Sequence, residues 1–182
     1  PIRRMNKGAS EMFKKILCPV DGSDHARLAL ELAIQLATAS DAKVMLLHNL
    51  LDKSASAELE RFARIEGLAP QVSPELDRRR SVEARLEYGY TPLPEGSRAF
   101  VEIAQHLLDD ARRQAEAAGL SDVETIMTDG DAADAILRAI REREADCVVI
   151  GSRGLSDAKA LFLGSVSHKV MNRAGCTCIA VK

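Results

Sequence analysis

The sequence predicts an α/β fold, in which helices cover both faces of a parallel β-sheet. Two observations predict it: short apolar runs recur along the chain, and segments with helical periodicity separate them. The chain has 182 residues, of which 46% are hydrophobic, and this suits one domain with a substantial core. Because 3% of the residues are aromatic and none is Trp, Leu, Ile, Val and Ala must build that core.

Five apolar runs are predicted to form the strands. The first is mostly buried, because its apolar residues follow one another instead of alternating with polar ones. A parallel sheet is expected, since a helical segment separates each strand from the next. The predicted strands are Lys15 to Val20, Lys43 to Asn49, Val123 to Met127, Cys147 to Ile150 and Thr177 to Val181.

Capping residues indicate where the helices begin and end. Ser23 and Asp131 are typical N-cap residues, and each precedes a segment whose apolar residues recur every three or four positions. Gly119 is predicted to end the long amphipathic helix before it, because glycine readily adopts the left-handed conformation of a C-cap. A short helix over Val166 to Ala174 is predicted before the last strand.

Charge and hydropathy exclude two classes of partner. The formal net charge of −2 leaves no basic excess for nucleic acid or an anionic membrane surface. No apolar run approaches the ~20 residues of a membrane-spanning helix. Residues 1–12 are basic without an apolar segment behind them, which predicts a disordered tail rather than a secretory signal. We expect a single cytoplasmic domain over residues 13–182.

The four cysteines agree with a reducing compartment. Cys18 and Cys147 lie within predicted strands, where free cysteine is commonly buried. Cys176 and Cys178 lie two residues apart, but a zinc site needs about four ligands, and no His or Cys cluster is near them in the sequence. We therefore expect reduced, structural thiols.

Residues 50–96 differ in composition from the rest of the chain. They hold four of the six prolines and the basic triplet Arg78 to Arg80. Short helices over Glu58 to Ile65 and Ser81 to Tyr88 are compatible with the pattern. A segment this long is predicted to be an insert, either a functional lid or binding surface or a disordered loop. The triplet is typical of a solvated face balanced by nearby acids such as Glu75.

The most specific motif is a glycine-rich stretch near the C-terminus. It reads Gly151-Ser-Arg-Gly154, then nine residues, then Gly164-Ser165, and it lies between an apolar run and a predicted helix. Glycine lets the backbone approach an anion closely, and the first turn of a helix offers free N–H groups. The motif therefore predicts a polyphosphate site.

These residues resemble the ATP-binding branch of the universal stress protein family. The family spacing (glycine, two residues, glycine, nine residues, then glycine and Ser or Thr) is complete, and the first strand, ending in Pro19-Val-Asp21, is similar. The resemblance covers Phe13 to Asn49 and Ser97 to Lys182. It implies a three-layer, doubly wound parallel sheet of five strands in the order 3-2-1-4-5, as in the adenine nucleotide alpha hydrolase-like fold. In that order Asp21 and Gly151 end neighbouring strands, where ligands bind.

The resemblance also implies a site for ATP or AMP. Asp21 would lie near the ribose hydroxyls and an Mg²⁺ or Mn²⁺ ion bound to the phosphates; its alternative role is to cap the helix that begins near Asp24. The implied nucleotide-binding residues are Pro19, Asp21, Asn49, Ile150, Gly151, Arg153, Gly154, Gly164, Ser165 and Val166.

Asn49 departs from the family pattern, which usually has an apolar residue after the histidine of the second strand. In the family, adenine packs there and its edge meets the backbone. A polar side chain weakens the apolar wall and leaves the backbone contact in place. His48 itself is expected to be structural.

Three functions stay open from the sequence. The first is a nucleotide-responsive stress protein, the second a slow ATP hydrolase or phosphotransferase, and the third an interaction protein that works through residues 50–96. The chain has neither a G-x-x-x-x-G-K-[ST] P-loop nor a G-x-G-x-x-G after the first strand. The complete glycine motif favours the first function. The second would need a general base, and none is evident: His168 is a weak candidate, because no partner base or nucleophile can be identified for it.

The last strand predicts a homodimer. Thr177 to Val181 is apolar, and in the implied order it lies at an edge of the sheet. An exposed apolar edge associates unless it is covered, and pairing with a symmetric copy would cover it. The family resemblance implies the same arrangement.

Overall fold

The computed structural model of the chain describes residues 12–50, 97–154 and 163–182. Most of the predicted tail and insert lies outside these ranges. The same holds for the helices expected over Glu58 to Ile65 and Ser81 to Tyr88, and for the triplet Arg78 to Arg80.

Five parallel strands form one sheet in the order β3-β2-β1-β4-β5. This confirms the predicted three-layer α/β fold, including the order that the family resemblance implied. The strands end within one residue of their predicted bounds. They are β1 (Lys15–Pro19), β2 (Lys43–Asn49), β3 (Val123–Thr128), β4 (Cys147–Gly151) and β5 (Thr177–Val181).

Two helices cover each face of the sheet, and each face has its own apolar core. On one face, α1 (Asp24–Ser40) and α2 (Ser97–Ala117) pack on alternate strand residues. On the other, α3 (Ala132–Arg143) and α4 (Ser165–Arg173) do the same. The β1 residues Ile16 and Cys18 belong to the first core, and Leu17 belongs to the second, as the two-residue period of a strand requires. Of the helices in the described ranges, none is both long and apolar enough to cross a membrane.

The predicted capping residues set the helix ends. Ser23 accepts a hydrogen bond from Ala26 N–H at the start of α1, and Asp131 accepts one from Asp134 N–H at the start of α3. After α2, Gly119 has a φ of 94°, and its N–H donates to the carbonyl of the last helical turn. A positive φ is the left-handed conformation that stops a helix, so Gly119 is the predicted C-cap glycine.

The cysteines are free, and their surroundings keep them as thiols. Burial raises the pKa of Cys18 and of Cys147 to about 12, and that of Cys176 to about 11. A thiol reacts as its thiolate, so these groups are poor nucleophiles at neutral pH. This agrees with the predicted structural role.

Candidate functional site

A cavity of about 240 Å³ lies at the carboxyl edge of the sheet, around the adjacent ends of β1 and β4. Every residue predicted for the nucleotide site lines this cavity, although the residues come from four separate stretches of the chain. They are Pro19, Asp21, Asn49, Ile150, Gly151, Arg153, Gly154, Gly164, Ser165 and Val166.

Gly151 lies where the end of β4 packs directly against the start of α1. A Cβ atom at Gly151 would be 2.8 Å from the His25 carbonyl carbon and 2.9 Å from Ala26 N. Both are backbone atoms that cannot move without shifting the helix. The first glycine of the motif is therefore required by packing inside the protein.

Gly154 lies against the carboxylate of Asp21. A Cβ atom at Gly154 would be 2.7 Å from Asp21 Oδ2, which is the movable end of a side chain. The other oxygen, Oδ1, accepts a hydrogen bond of 2.9 Å from Ser23 N–H. Asp21 therefore stabilises the turn that leads into α1, while Ser23 is the N-cap. The sequence had left open that Asp21 caps this helix, and the structure shows that Ser23 is the cap instead.

Gly164 is the N-cap of α4 and, unlike Ser23 and Asp131, contributes no side-chain hydrogen bond to its helix. Its own N–H donates to Ser152 O at 2.7 Å, which ties the start of α4 to the motif. Ser165 and Val166, in the first turn of α4, therefore border the cavity, and no side chain caps this turn. Such a helix end attracts an anion, because its N–H groups and its dipole both favour negative charge.

Ser152 connects three elements at the site and was missed by the sequence analysis. Its side chain is fully buried, and its Oγ lies 3.0 Å from Nδ1 of His25 on α1. Its N–H donates to Val181 O, and its carbonyl accepts from Ser167 Oγ at 2.9 Å. These partners are distant in sequence, so no local signal could have identified the residue. Ser152 holds the glycine motif in place between α1, β5 and α4.

His48 has the structural role that was expected. The ring is 2% exposed, and its Nδ1 lies 2.7 Å from Val20 O, to which it donates. Burial lowers the pKa of His48, so the ring is neutral at neutral pH. His168, the weak candidate for catalysis, is exposed on α4 next to Asn172 and does not line the cavity.

The side chain of Asn49 is held by the loop that follows β3. Its Nδ2 donates to Gly130 O at 2.9 Å and to Leu50 O at 3.3 Å, and its Oδ1 accepts from Thr128 Oγ1 at 3.0 Å. The polar group that seemed out of place in an apolar wall is thus largely satisfied by the protein.

The rest of the cavity wall is mostly apolar. Pro19 and Ile150 were predicted; α3 adds Ala132 and Ile136, which the sequence analysis did not include. Nothing in the local pattern separates these two from ordinary core residues of an amphipathic helix. Further lining residues are Val20, Ala26, Leu47 and Ser167.

Charge at the cavity comes from Asp21 and Arg153. Within the described ranges, Arg153 forms no ion pair with a carboxylate. No group of three or more His, Cys, Asp or Glu side chains in the described part of the chain could hold a metal ion. Asp21 could therefore contribute to a metal site only together with other ligands, such as phosphate oxygens.

Two curated relatives are similar to this chain over nearly its whole length. Universal stress protein YxiE of Bacillus subtilis is 30% identical over 171 residues, which cover 94% of this chain and all of the relative. A universal stress protein of Thermus aquaticus is 30% identical over 177 residues, with the same coverage of both chains.

Solved structures of the same kind have the same fold. Universal stress protein UspA of Lactobacillus plantarum has a TM-score of 0.66 at 21% identity and covers 93% of this chain and 97% of its own. A universal stress protein in complex with cAMP has a TM-score of 0.57 at 24% identity, with coverages of 93% and 97%. An Arabidopsis thaliana family protein with AMP bound has a TM-score of 0.56 at 22% identity, with coverages of 93% and 91%.

The family assignment rests on the complete glycine spacing, the strand order and the comparisons together. The family model described as "Universal stress protein family" matches residues 12–182, which include every element of the sheet. The chain belongs to the universal stress protein family.

Proposed function

We propose that this protein binds an adenine nucleotide, ATP or AMP, in the cavity at the carboxyl edge of the sheet and acts as a nucleotide-responsive stress protein. The observation that carries the proposal is the first turn of α4, which borders a glycine-lined cavity without a side-chain cap. The complexes of family structures with cAMP and AMP support an adenine nucleotide as the ligand.

The geometry supports a particular orientation of the nucleotide. The phosphates would accept hydrogen bonds from the N–H groups of Gly164, Ser165 and Val166, and Arg153 would add positive charge. Asp21, across from them beside Gly154, would bind Mg²⁺ or Mn²⁺ carried by the phosphates of ATP.

The base would lie between Pro19, Ile150 and the end of β2. Leu50 N–H donates to Thr128 O on β3. Successive residues of an inner strand turn their backbone groups to opposite neighbours, so Asn49 faces the β1 side. Because β1 has ended at Pro19, the backbone of Asn49 is oriented towards the space where a base edge would lie.

We also propose a homodimer paired along β5 and a cytoplasmic location. β5 is an edge strand, so one side of its backbone is not paired within the sheet. A symmetric copy would complete the ladder. The free thiols of the four cysteines suit a reducing compartment.

Calorimetry with ATP, with and without Mg²⁺, tests the proposal. A valine side chain at Gly154 would displace the Asp21 carboxylate and enter the phosphate path. Gly154→Val should weaken ATP binding at least tenfold, or about 1.4 kcal/mol. Gly175→Val is the matched control, because a Cβ atom at Gly175 has no neighbour within 4 Å and the residue is remote from the cavity. Equal affinity of the two variants, or no binding of ATP or AMP by the unaltered protein, would contradict the proposal.

A further inference from the structure

Among the described residues, Asn49 is the one polar side chain that borders the proposed position of the base, and its amide has a single possible orientation. Nδ2 lies 2.9 Å from Gly130 O and 3.3 Å from Leu50 O. Carbonyl oxygens only accept hydrogen bonds, so the NH₂ group must face both of them. If the amide were rotated by half a turn, two carbonyls would meet an oxygen acceptor.

This orientation leaves the amide with one kind of hydrogen-bonding capacity. Both hydrogens of Nδ2 are used by the two carbonyls. The oxygen Oδ1 has two acceptor positions, and the hydroxyl of Thr128 occupies one at 3.0 Å. The side-chain amide of Asn49 therefore has no donor left to offer a ligand, and it retains one acceptor position on Oδ1.

An acceptor without a donor discriminates between purines. Adenine carries an exocyclic amino group, which donates hydrogen bonds; hypoxanthine carries a carbonyl oxygen at the same ring position, which accepts them. Beside a fixed acceptor, the amino group of adenine forms a hydrogen bond. The carbonyl oxygen of hypoxanthine would instead face another acceptor, which is unfavourable. A site that leaves a polar group unpaired rejects such an analogue strongly.

We infer that Asn49 is a specificity-determining residue, whose Oδ1 accepts a hydrogen bond from the amino group of a 6-aminopurine and thereby excludes 6-oxopurines. The inference rests on the proposed nucleotide binding. Where the family usually has an apolar residue, Asn49 would thus make the side chain itself selective for the base.

The test compares AMP with IMP, which differ at this ring position and at the adjacent N1, an acceptor in AMP and an N–H donor in IMP. The unaltered protein should bind AMP at least tenfold more tightly than IMP. In Asn49→Leu, which removes the acceptor, the ratio of the two affinities should fall at least fivefold, chiefly because AMP binds more weakly. The phosphate and ribose contacts are common to both ligands, so the ratio reports the base alone.

Asn172→Leu is the matched control, because Asn172 is an exposed residue of α4 that does not line the cavity. Its affinity ratio should equal that of the unaltered protein. If Asn49→Leu does not fold, as judged by circular dichroism, Asn49→Ala should replace it with the same expected fall in the ratio. An unchanged ratio in a folded Asn49 variant would overturn the inference while nucleotide binding stands. Failure of the unaltered protein to bind either nucleotide would overturn the proposed function itself.

Discussion

Three helices of the described ranges begin at the cavity, and they differ in how the N–H groups of their first turns are satisfied. At α1 the hydroxyl of Ser23 accepts from Ala26 N–H, and at α3 the carboxylate of Asp131 accepts from Asp134 N–H. At α4 the N-cap is Gly164, which has no side chain to accept a hydrogen bond. Two of the three helix ends are thus closed by the protein, and one is left open towards the cavity.

This difference separates the structural glycines from those available to a ligand. Gly151 is required because β4 approaches the backbone of α1. At Gly164 the backbone has an ordinary φ of −71°, and the nearest atom to an added Cβ is at 3.4 Å, so the protein itself would accept a side chain there. The fold does not require a glycine at this uncapped helix end, which agrees with the phosphate site proposed there.

The largest effect on folding is expected for Gly151→Ala. The added methyl group would lie 2.8 Å from the backbone of His25, so α1 must shift away from β4. We expect the free energy of unfolding to fall by about 1–3 kcal/mol, as for other overpacked sites. Thermal melting would measure it, with Gly175→Ala as a control that should melt like the unaltered protein. Equal stability of the two variants would show that α1 adapts without cost.

A side-chain N-cap on α4, like those of the other two helices, should remove this difference between the helix ends. Gly164→Asp places a carboxylate where the phosphates are proposed to bind, and it should lower ATP affinity at least tenfold, or about 1.4 kcal/mol. Because Asp is a good N-cap residue, the unliganded variant should be as stable as the unaltered protein or more so. Calorimetry and thermal melting on the same sample measure both effects.

Gly164→Asn separates charge from capping in that experiment. Asparagine caps a helix about as well as aspartate but carries no charge, so this variant should bind ATP more tightly than Gly164→Asp does. If Gly164→Asp bound ATP as tightly as the unaltered protein, the α4 terminus would not be the phosphate site.

The smallest effect is expected for Ser23→Ala, which opens a helix end that is now closed. Loss of the hydrogen bond to Ala26 N–H, together with the long 3.5 Å contact to Arg153 O, should lower the free energy of unfolding by about 1 kcal/mol. Ser23 does not line the cavity, so the ATP dissociation constant should change less than about twofold. Urea unfolding and calorimetry measure the two quantities. A loss of affinity as large as that of Gly164→Asp would mean that the two helix ends do not differ in function.

Local patterns in the chain were enough to predict the secondary-structure elements and the glycine motif. The helix caps depend on interactions within a few residues of one another, as between Ser23 and Ala26 or Asp131 and Asp134. The strands pair over long distances, but each one is marked by a local run of apolar residues. The spacing of the glycines is likewise a local property. For this reason strand ends were predicted to within one residue. The site residues, which the family resemblance implied, all line the cavity although they come from four separate stretches of the chain.

The contacts that hold the site residues in place form only in the folded protein. Ser152 and His25 are 127 residues apart, and Asn49 and Gly130 are 81 apart. Such pairs meet because the sheet brings β1, β4 and the end of β3 to one edge, and a hydrogen bond across that distance leaves no local trace in the chain. From the sequence, Asn49 was expected only to weaken the apolar wall of the site. Its fixed orientation could not be predicted, because Thr128 and Gly130, which hold its amide, are distant in the chain.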